Sequence, residues 1–218
     1  SGSMAYTGTR AAEHDGTRLS KFAYGQRLAA SLAHLLLHQQ DAVGLVTFDT
    51  QVRRYIPARA RVSHLRAVLE ELSDTAPGAE TRLAPIFHDI AERARRRGLV
   101  IIISDLFDDP EDIVKALHHF RYKKHEVLVL HVLAEEELTF PFGQWSLFED
   151  LEQAAGRVRL DPRAVRAEYL DQVRAFIQRI ETGCGQMAVD YVPMCTATPY
   201  DEALAGYLAR RRSGSGAR

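Results

Sequence analysis

The chain has 218 residues, of which 46% are hydrophobic and 26% are charged, which is enough to bury the core of one α/β domain. The 28 basic and 29 acidic residues leave a formal net charge of −1, so no global field would draw the protein to nucleic acid or to an anionic membrane. The apolar runs are far shorter than the roughly 20 residues that a membrane helix needs. We therefore expect a soluble, cytoplasmic protein with no membrane insertion by this segment.

Helices and strands alternate along the first two thirds of the chain. Apolar residues recur at helical spacing over residues 18–38, and residues 43–48 follow as a strand that is apolar on both faces, as in a buried sheet. The next predicted elements are an edge strand at 51–55, helices at 62–72 and 83–97, a strand at 99–103, a helix at 110–120 and a strand at 126–133. This order predicts right-handed crossovers and a mostly parallel sheet.

The alternation stops at residues 138–160, where Pro141, Gly143 and Gly156 interrupt the pattern. We expect an irregular excursion there, with a short hairpin around residues 148–160. A long helix at 162–182, a strand at 187–192 and a helix at 200–212 complete one domain over residues 1–212. Residues 213–218 have the composition of a flexible tail.

Two cysteines, Cys184 and Cys195, are too few for a disulfide framework and lack the spacing of a zinc site. We expect two reduced, structural thiols.

Hydroxyl and carboxylate side chains stand near the predicted strand ends. Ser1 and Ser3 are spaced as Ser-x-Ser, Thr81 precedes a helix, and Asp105 comes just after a buried strand. In an open α/β sheet such loops can converge at the carboxyl edge, and their oxygen ligands suit Mg²⁺ or Mn²⁺. The plainer alternatives are that Thr81 caps a helix, that Asp105 accepts turn amides, and that the first three residues are a cloning remnant.

Several segments, taken together and in order, resemble the DUF58 family. They are residues 1–6, 41–49, 81–83, 99–105, 125–127 and 148–152. Members of that family resemble von Willebrand factor A domains and are commonly encoded beside MoxR-type AAA+ ATPases in bacteria. The resemblance implies a Rossmann-like, von Willebrand factor A-type α/β fold, with a mostly parallel central sheet flanked by helices on both faces.

The resemblance also implies a metal ion adhesion site. In such domains its motif is Asp-x-Ser-x-Ser followed by a distant Thr and a distant Asp, and Ser1, Ser3, Thr81 and Asp105 match the last four places. The first Asp would lie two residues before Ser1. By resemblance, then, the chain is truncated at its N-terminus, and the Mg²⁺ or Mn²⁺ of the full-length protein has an incomplete site in this fragment.

The function that follows from the resemblance is protein–protein interaction, not catalysis. A partner protein would supply an acidic residue to the open coordination position of the ion. The implied setting is a MoxR-type ATPase system that assembles or matures other protein complexes.

Two other functions compete with this one. The first is a Mg²⁺-dependent phosphoester hydrolase built from Asp105, Asp108, Asp109 and the acidic run 135–137. Helix capping also explains Asp108 and Asp109, and a solvated surface explains the acidic run.

The second competing function is a metal-free interaction module. It would use the sheet edge together with exposed aromatic residues of the excursion, namely Phe140, Phe142, Trp145 and Phe148. Packing of these aromatic residues onto the domain is the alternative role.

Overall fold

The structure is a computed structural model that describes residues 2–78, 82–94, 96–143, 146–149 and 157–215. Its strands are β1 (Glu13–His14), β2 (Thr17–Arg18), β3 (Val43–Phe48), β4 (Val52–Arg59), β5 (Leu99–Ser104), β6 (Glu126–Leu133), β7 (Ser146–Glu149), β8 (Arg157–Leu160) and β9 (Asp190–Cys195). Its α-helices are α1 (Lys21–His38), α2 (His64–Asp74), α3 (Leu83–Arg93), α4 (Pro110–Tyr122), α5 (Glu135–Thr139), α6 (Pro162–Gln186) and α7 (Tyr200–Ser215). A 3-10 turn over Ser3–Ala5 precedes them.

A three-stranded parallel sheet, in the order β5-β6-β9, forms the centre of the fold. The predicted strand at 126–133 is confirmed, but the last strand begins at Asp190 and not at Met187. The reason is that α6 continues to Gln186, and the backbone N–H groups of Met187 and Val189 both bond to the Cys184 carbonyl oxygen. The helix therefore ends four residues later, and the strand begins three residues later, than the sequence pattern predicts.

Helices cover both faces of this sheet. Side chains of α3, α4 and α6 pack with Val127 and Val129 of β6, whereas those of α1 and α7 pack with Leu128, Leu130 and Val132. Successive residues of a strand point to opposite faces, so a strand covered on both sides is apolar throughout. The prediction of a mixed α/β fold with a parallel sheet flanked by helices is confirmed at this level.

Strand β3 differs from its prediction as a buried strand. It pairs antiparallel with β4, and within the described residues no backbone ladder joins it to β5. Thr47 is its one buried residue. Its second edge faces a cavity, which leaves its apolar side chains half-exposed.

The excursion after β6 contains the predicted hairpin, since β7 and β8 pair antiparallel. The short helix α5, which the sequence pattern did not predict, ends at Phe140 with a left-handed φ of 44°. The Phe140 ring packs against Phe142 and against Tyr169 of α6. These two aromatic residues thus pack onto the domain, while Trp145 and the side chain of Phe148 lie outside what the structure describes.

Two simpler findings complete the fold. Cys184 is buried in α6, Cys195 is partly buried, and both are free thiols. None of the described helices combines the length and the apolar character needed to cross a bilayer.

Candidate functional site

The site lies in the turn that follows β5, at the carboxyl edge of the parallel sheet. Leu106 has a left-handed φ of 51°, although its side chain is fully buried. Such a backbone costs on the order of 1–3 kcal/mol for a residue other than glycine. The Ser104 Oγ atom accepts a hydrogen bond from the Leu106 N–H at 3.1 Å. The bond and the buried leucine together hold the turn, and Asp105 within it is only 6% exposed.

A buried lysine lies against Asp105. The Lys21 Nζ atom donates to Asp105 Oδ2 at 3.0 Å and to Glu137 Oε1 at 2.7 Å, and Lys21 is 2% exposed. The other Glu137 oxygen accepts from the Ala134 N–H at 2.7 Å. Lys21 therefore links the start of α1 to the turn after β5 and to the helix that follows β6.

Of the four predicted metal ligands, the structure brings two together. The Ser3 side chain hydrogen-bonds to Asp105, so an N-terminal hydroxyl reaches a carboxylate about a hundred residues further along the chain. Ser1 and Thr81 lie outside the described residues. The metal site formed by all four residues thus remains a prediction, whereas the contact between Ser3 and Asp105 is observed.

Opposite charges set the ionisation of this pair. Burial by itself would raise the pKa of Asp105, but the charge of Lys21 and the hydrogen bonds from Ser3 and Lys21 outweigh it and lower that pKa below its usual range. Burial would likewise lower the pKa of Lys21, and the charges of Asp105 and Glu137 raise it instead. Both groups are therefore ionised at neutral pH.

The acidic run is part of the same edge, and its interpretation as a solvated surface run is wrong. Glu136 is 3% exposed, and its Oε1 atom accepts from the Thr9 N–H at 2.7 Å and from the Thr9 Oγ1 hydroxyl at 2.6 Å. Glu135, in contrast, forms a surface ion pair with Arg10. The run folds inward because α5 begins directly at the end of β6.

The edge carries an excess of negative charge. Asp105, Glu136 and Glu137 contribute three carboxylates against the ammonium of Lys21, which is an excess of two negative charges when all four groups are ionised. The Glu136 Oε2 atom is buried and, within the described residues, has no hydrogen-bond partner. A buried carboxylate oxygen of this kind is costly without a cation or a donor nearby.

His131 supports the site from β6 and was missed in the sequence. Its Nε2–H donates to the Asp105 carbonyl oxygen at 2.9 Å, and its Nδ1 accepts from the Tyr191 hydroxyl at 2.6 Å. Burial lowers the pKa of His131 to about 4, so the ring is neutral at pH 7.

Sequence signals for the missed residues do exist. His131 is the one polar residue within the apolar run of β6, and Lys21 places a positive charge in the first turn of α1, which the helix dipole disfavours.

Asp108 and Asp109 both have structural roles, and the interpretation as caps of the following helix is confirmed for Asp109 only. Asp108 Oδ2 accepts from the Leu83 N–H at 2.7 Å, so the turn after β5 holds the start of α3. Asp109 Oδ1 accepts from the N–H groups of Glu111 and Asp112 at the N-terminus of α4. Phe107, between these aspartates and Asp105, is 63% exposed.

A second group of possible ligands lies on α3 and α4. The side-chain ligand atoms of His88, Glu92 and His119 all lie within 4.8 Å of one another. Glu92 already accepts from His119 at 3.0 Å and from Lys123 at 2.7 Å, and it is half-exposed. These contacts make the group a surface ion-pair cluster.

Comparisons with known proteins give two solved structures of similar fold and one matching family. Two solved structures share the fold at TM-scores of 0.56. One is a conserved hypothetical protein BatB from Bacteroides thetaiotaomicron, which is 18% identical, with 98% of this chain and 95% of that chain covered. The other is an aerotolerance-related membrane protein from Bacteroides fragilis, with multiple mutations to serines, which is 15% identical, with 94% and 92% covered.

No curated protein matches the chain. The family described as "Protein of unknown function DUF58" matches residues 4–178. These residues span most of the described fold and include Asp105, Lys21 and the acidic run, and on that evidence the chain belongs to the DUF58 family.

Proposed function

We propose that this domain binds a partner protein at the carboxyl edge of its parallel sheet, through a divalent cation held in part by Ser3 and Asp105. The observation that carries the proposal is the contact between these two side chains. A hydroxyl and a carboxylate are hard oxygen ligands of the kind that Mg²⁺ and Mn²⁺ take. The exposed Phe107 beside them would give a partner an apolar contact.

The charge of the edge fits a cation. The excess of two negative charges favours a positive ion there, and so does the Glu136 oxygen that has no partner among the described residues. Ser3 and Asp105 would be ligands, and Ser1 and Thr81 remain predicted ones. The ion, when bound, would supply an open coordination position for an acidic side chain of the partner.

The wider setting is also a proposal. The family resemblance supports a MoxR-type AAA+ ATPase system, acting in the assembly or maturation of other protein complexes, as the source of the partner. The hydrolase alternative is less well supported, because Asp108 and Asp109 are already engaged by backbone N–H groups.

One observation favours a metal-free interaction module as a second candidate. The Lys21 ammonium already contacts the Asp105 carboxylate. Two like charges, one of them divalent, repel each other by about 8 kcal/mol at 4 Å in an effective dielectric constant of 20. Under this second candidate Lys21 itself neutralises Asp105, and the partner contacts the edge without an ion.

Thermal unfolding in millimolar Mg²⁺ or Mn²⁺, compared with EDTA, separates the two candidates. The measurement uses this chain. An ion that binds only the folded state stabilises it by about 2.7 kcal/mol at a hundred times its dissociation constant. We expect stabilisation by the ion, its loss in Asp105→Asn, and its retention in the control Asp112→Asn, which changes an exposed helix residue.

A shift that Asp105→Asn does not remove would place the ion elsewhere. No shift would favour the metal-free module. The partner is tested separately, by titrating the MoxR-type ATPase encoded nearest the gene against this chain in Mg²⁺ and in EDTA. Under the proposal Asp105→Asn weakens that binding at least tenfold. Binding that is unchanged by EDTA and by the substitution would contradict it.

A further inference from the structure

Three metal-ligating side chains meet where α3 packs beside α4. The ligand atoms of His88, Glu92 and His119 all lie within 4.8 Å of one another. His88 and Glu92 are four residues apart on α3, so they lie on the same face of that helix. His119 reaches them from the last turn of α4. Two helices that are separate in the sequence therefore bring three possible ligands to one point on the surface.

A buried aromatic pair positions the two histidines. Each histidine has a phenylalanine as its neighbour in the sequence, namely Phe87 before His88 and Phe120 after His119. Both phenylalanines are 1% exposed, and their rings form an edge-to-face contact with centroids 6.0 Å apart. The centroids of the two imidazole rings are 4.2 Å apart. The core thus fixes the backbone on which the two imidazoles stand, so their approach does not depend on the surface side chains alone.

The chemistry of the three ligands selects the class of ion. Imidazole nitrogen suits Zn²⁺, Cu²⁺ and Ni²⁺, whereas Mg²⁺ prefers oxygen. Two histidines and one glutamate form a known type of zinc site, in which water takes the fourth position. Tetrahedral Zn²⁺ with bonds of about 2.0–2.1 Å places neighbouring ligand atoms about 3.3 Å apart. The Nε2 atom of His119 and the Oε1 atom of Glu92 are already 3.0 Å apart.

Lys123 supplies the positive charge of this group when no metal ion is bound. Its Nζ atom donates to Glu92 Oε2 at 2.7 Å, and the hydrogen bonds from Lys123 and His119 lower the pKa of Glu92. The carboxylate is therefore charged at neutral pH and attracts a cation. The Lys123 side chain is 34% exposed, so it can turn into solvent when an ion takes its place.

The group is well separated from the carboxyl edge of the sheet. The N–H of Leu83, at the start of α3, bonds to Asp108 in the turn after β5. Glu92 lies nine residues further along α3, which corresponds to about 14 Å of helix. An ion at this group would therefore be distinct from one held by Ser3 and Asp105.

We propose that His88, Glu92 and His119 form a binding site for a divalent transition-metal ion such as Zn²⁺. The ion would join α3 to α4 and would leave its fourth coordination position to water. The proposal does not depend on the partner-binding function, because the two sites differ in both position and ligand chemistry.

Isothermal titration calorimetry of this chain with Zn²⁺ tests the proposal. Millimolar Mg²⁺ is present throughout, so that a site for hard ions is already filled. We expect His88→Gln, Glu92→Gln and His119→Gln each to weaken Zn²⁺ binding by roughly tenfold or more, since even the loss of a group that orients a ligand costs about 10–100-fold. Asp105→Asn should leave Zn²⁺ binding unchanged, so failure of the proposed function would not affect this result.

Two variants at other histidines are the matched controls. His118→Gln changes the exposed neighbour of His119 on the same helix. A double variant with His34→Gln and His38→Gln removes a second histidine pair, on α1, whose ring centroids are 4.1 Å apart. Among the described residues, no carboxylate or thiol completes that pair as a third ligand. Both controls should bind Zn²⁺ as the unchanged chain does.

Lys123→Met distinguishes a metal site from a simple ion-pair cluster. Removal of the competing ammonium should tighten Zn²⁺ binding severalfold, because Glu92 then has one fewer cation beside it. Absence of Zn²⁺ binding would overturn the proposal. So would binding that any one of the three ligand substitutions leaves unchanged, or binding that is lost in the histidine controls.

Discussion

Strands β5 and β6 are neighbours, run parallel and have similar apolar sequences, yet they differ greatly in burial. Seven of the eight residues of β6 are buried. In β5 only Ile102 and Ser104 are buried, and Leu99 is 39% exposed. The difference lies in their neighbours, because β6 has a strand on each side whereas β5 faces the cavity that also borders β3. An apolar run predicts a strand, but its burial depends on what lies beside it.

The two strands also contribute differently to the candidate site. Strand β5 delivers Asp105 through a strained turn, and β6 places His131 beneath that turn, in register with Ser104. Lys21 connects the two strand ends through Asp105 and Glu137. The buried strand β6 therefore supports the site from below, and the site is open on the side of the partly exposed strand β5.

The largest effect is expected from breaking the link between the two strand ends. Lys21→Met leaves the Asp105 carboxylate buried without its ammonium, and loss of one partner of a buried ion pair costs about 3–5 kcal/mol. Chemical denaturation measures the free energy of unfolding. The matched control Lys115→Met removes an exposed pair with Asp112 and should leave the free energy of unfolding nearly unchanged.

A double variant sharpens this result. Adding Asp105→Asn to Lys21→Met removes the unpaired charge, so the double variant should be more stable than Lys21→Met alone. If Lys21→Met cost no more than its control, the ion pair would have no role in stabilising the edge.

The next effect compares equal truncations in the two strands. Leu130→Ala in β6 removes a fully buried side chain and should cost about 2–5 kcal/mol. Leu99→Ala in β5 removes a side chain that is already partly in water and should cost less than about 1 kcal/mol. The measurement is again the free energy of unfolding. Equal costs would show that β5 is as well packed as β6 and would contradict the comparison.

A pH-dependent effect tests His131 of β6. Because burial lowers the pKa of His131 to about 4, the unfolded chain binds this proton between about pH 6.5 and pH 4 and the folded chain does not. Above pH 6.5 the ring is neutral in both the folded and the unfolded chain, so His131 does not lower the free energy of unfolding. As the pH falls from 6.5 to 4, protonation of the unfolded chain lowers that free energy by up to about 3 kcal/mol.

Urea unfolding at several pH values measures this slope. His131→Gln should flatten it between pH 6.5 and pH 4, while the control His118→Gln, at an exposed position of α4, should leave it unchanged. An unchanged slope in His131→Gln would show that another group causes the acid sensitivity. Protonation of Asp105, whose pKa lies below its usual range, removes stability only at lower pH, below about 3.9.

Part of the candidate site could be predicted from sequence. Asp105 stands at the exit of a clear strand, which is where open α/β sheets place polar residues, and its contact with Ser3 agrees with the predicted grouping. Lys21, His131 and Glu136 could not be assigned in the same way. A lysine at a helix start and a glutamate in an acidic run are exposed in most proteins, and only contacts from distant segments bury them here.

The sequence by itself determined the order and type of most elements, because the periodicities of 2 and 3.6 residues are local and strong in this chain. It also determined the capping role of Asp109 and, through the combination of short motifs, the family. Only the tertiary structure decided which strands became neighbours, that Lys21 shares its charge between Asp105 and Glu137, and that a cavity separates β3 from β5. These features depend on groups far apart in the chain, and their energies arise from burial and pairing, which no local pattern records.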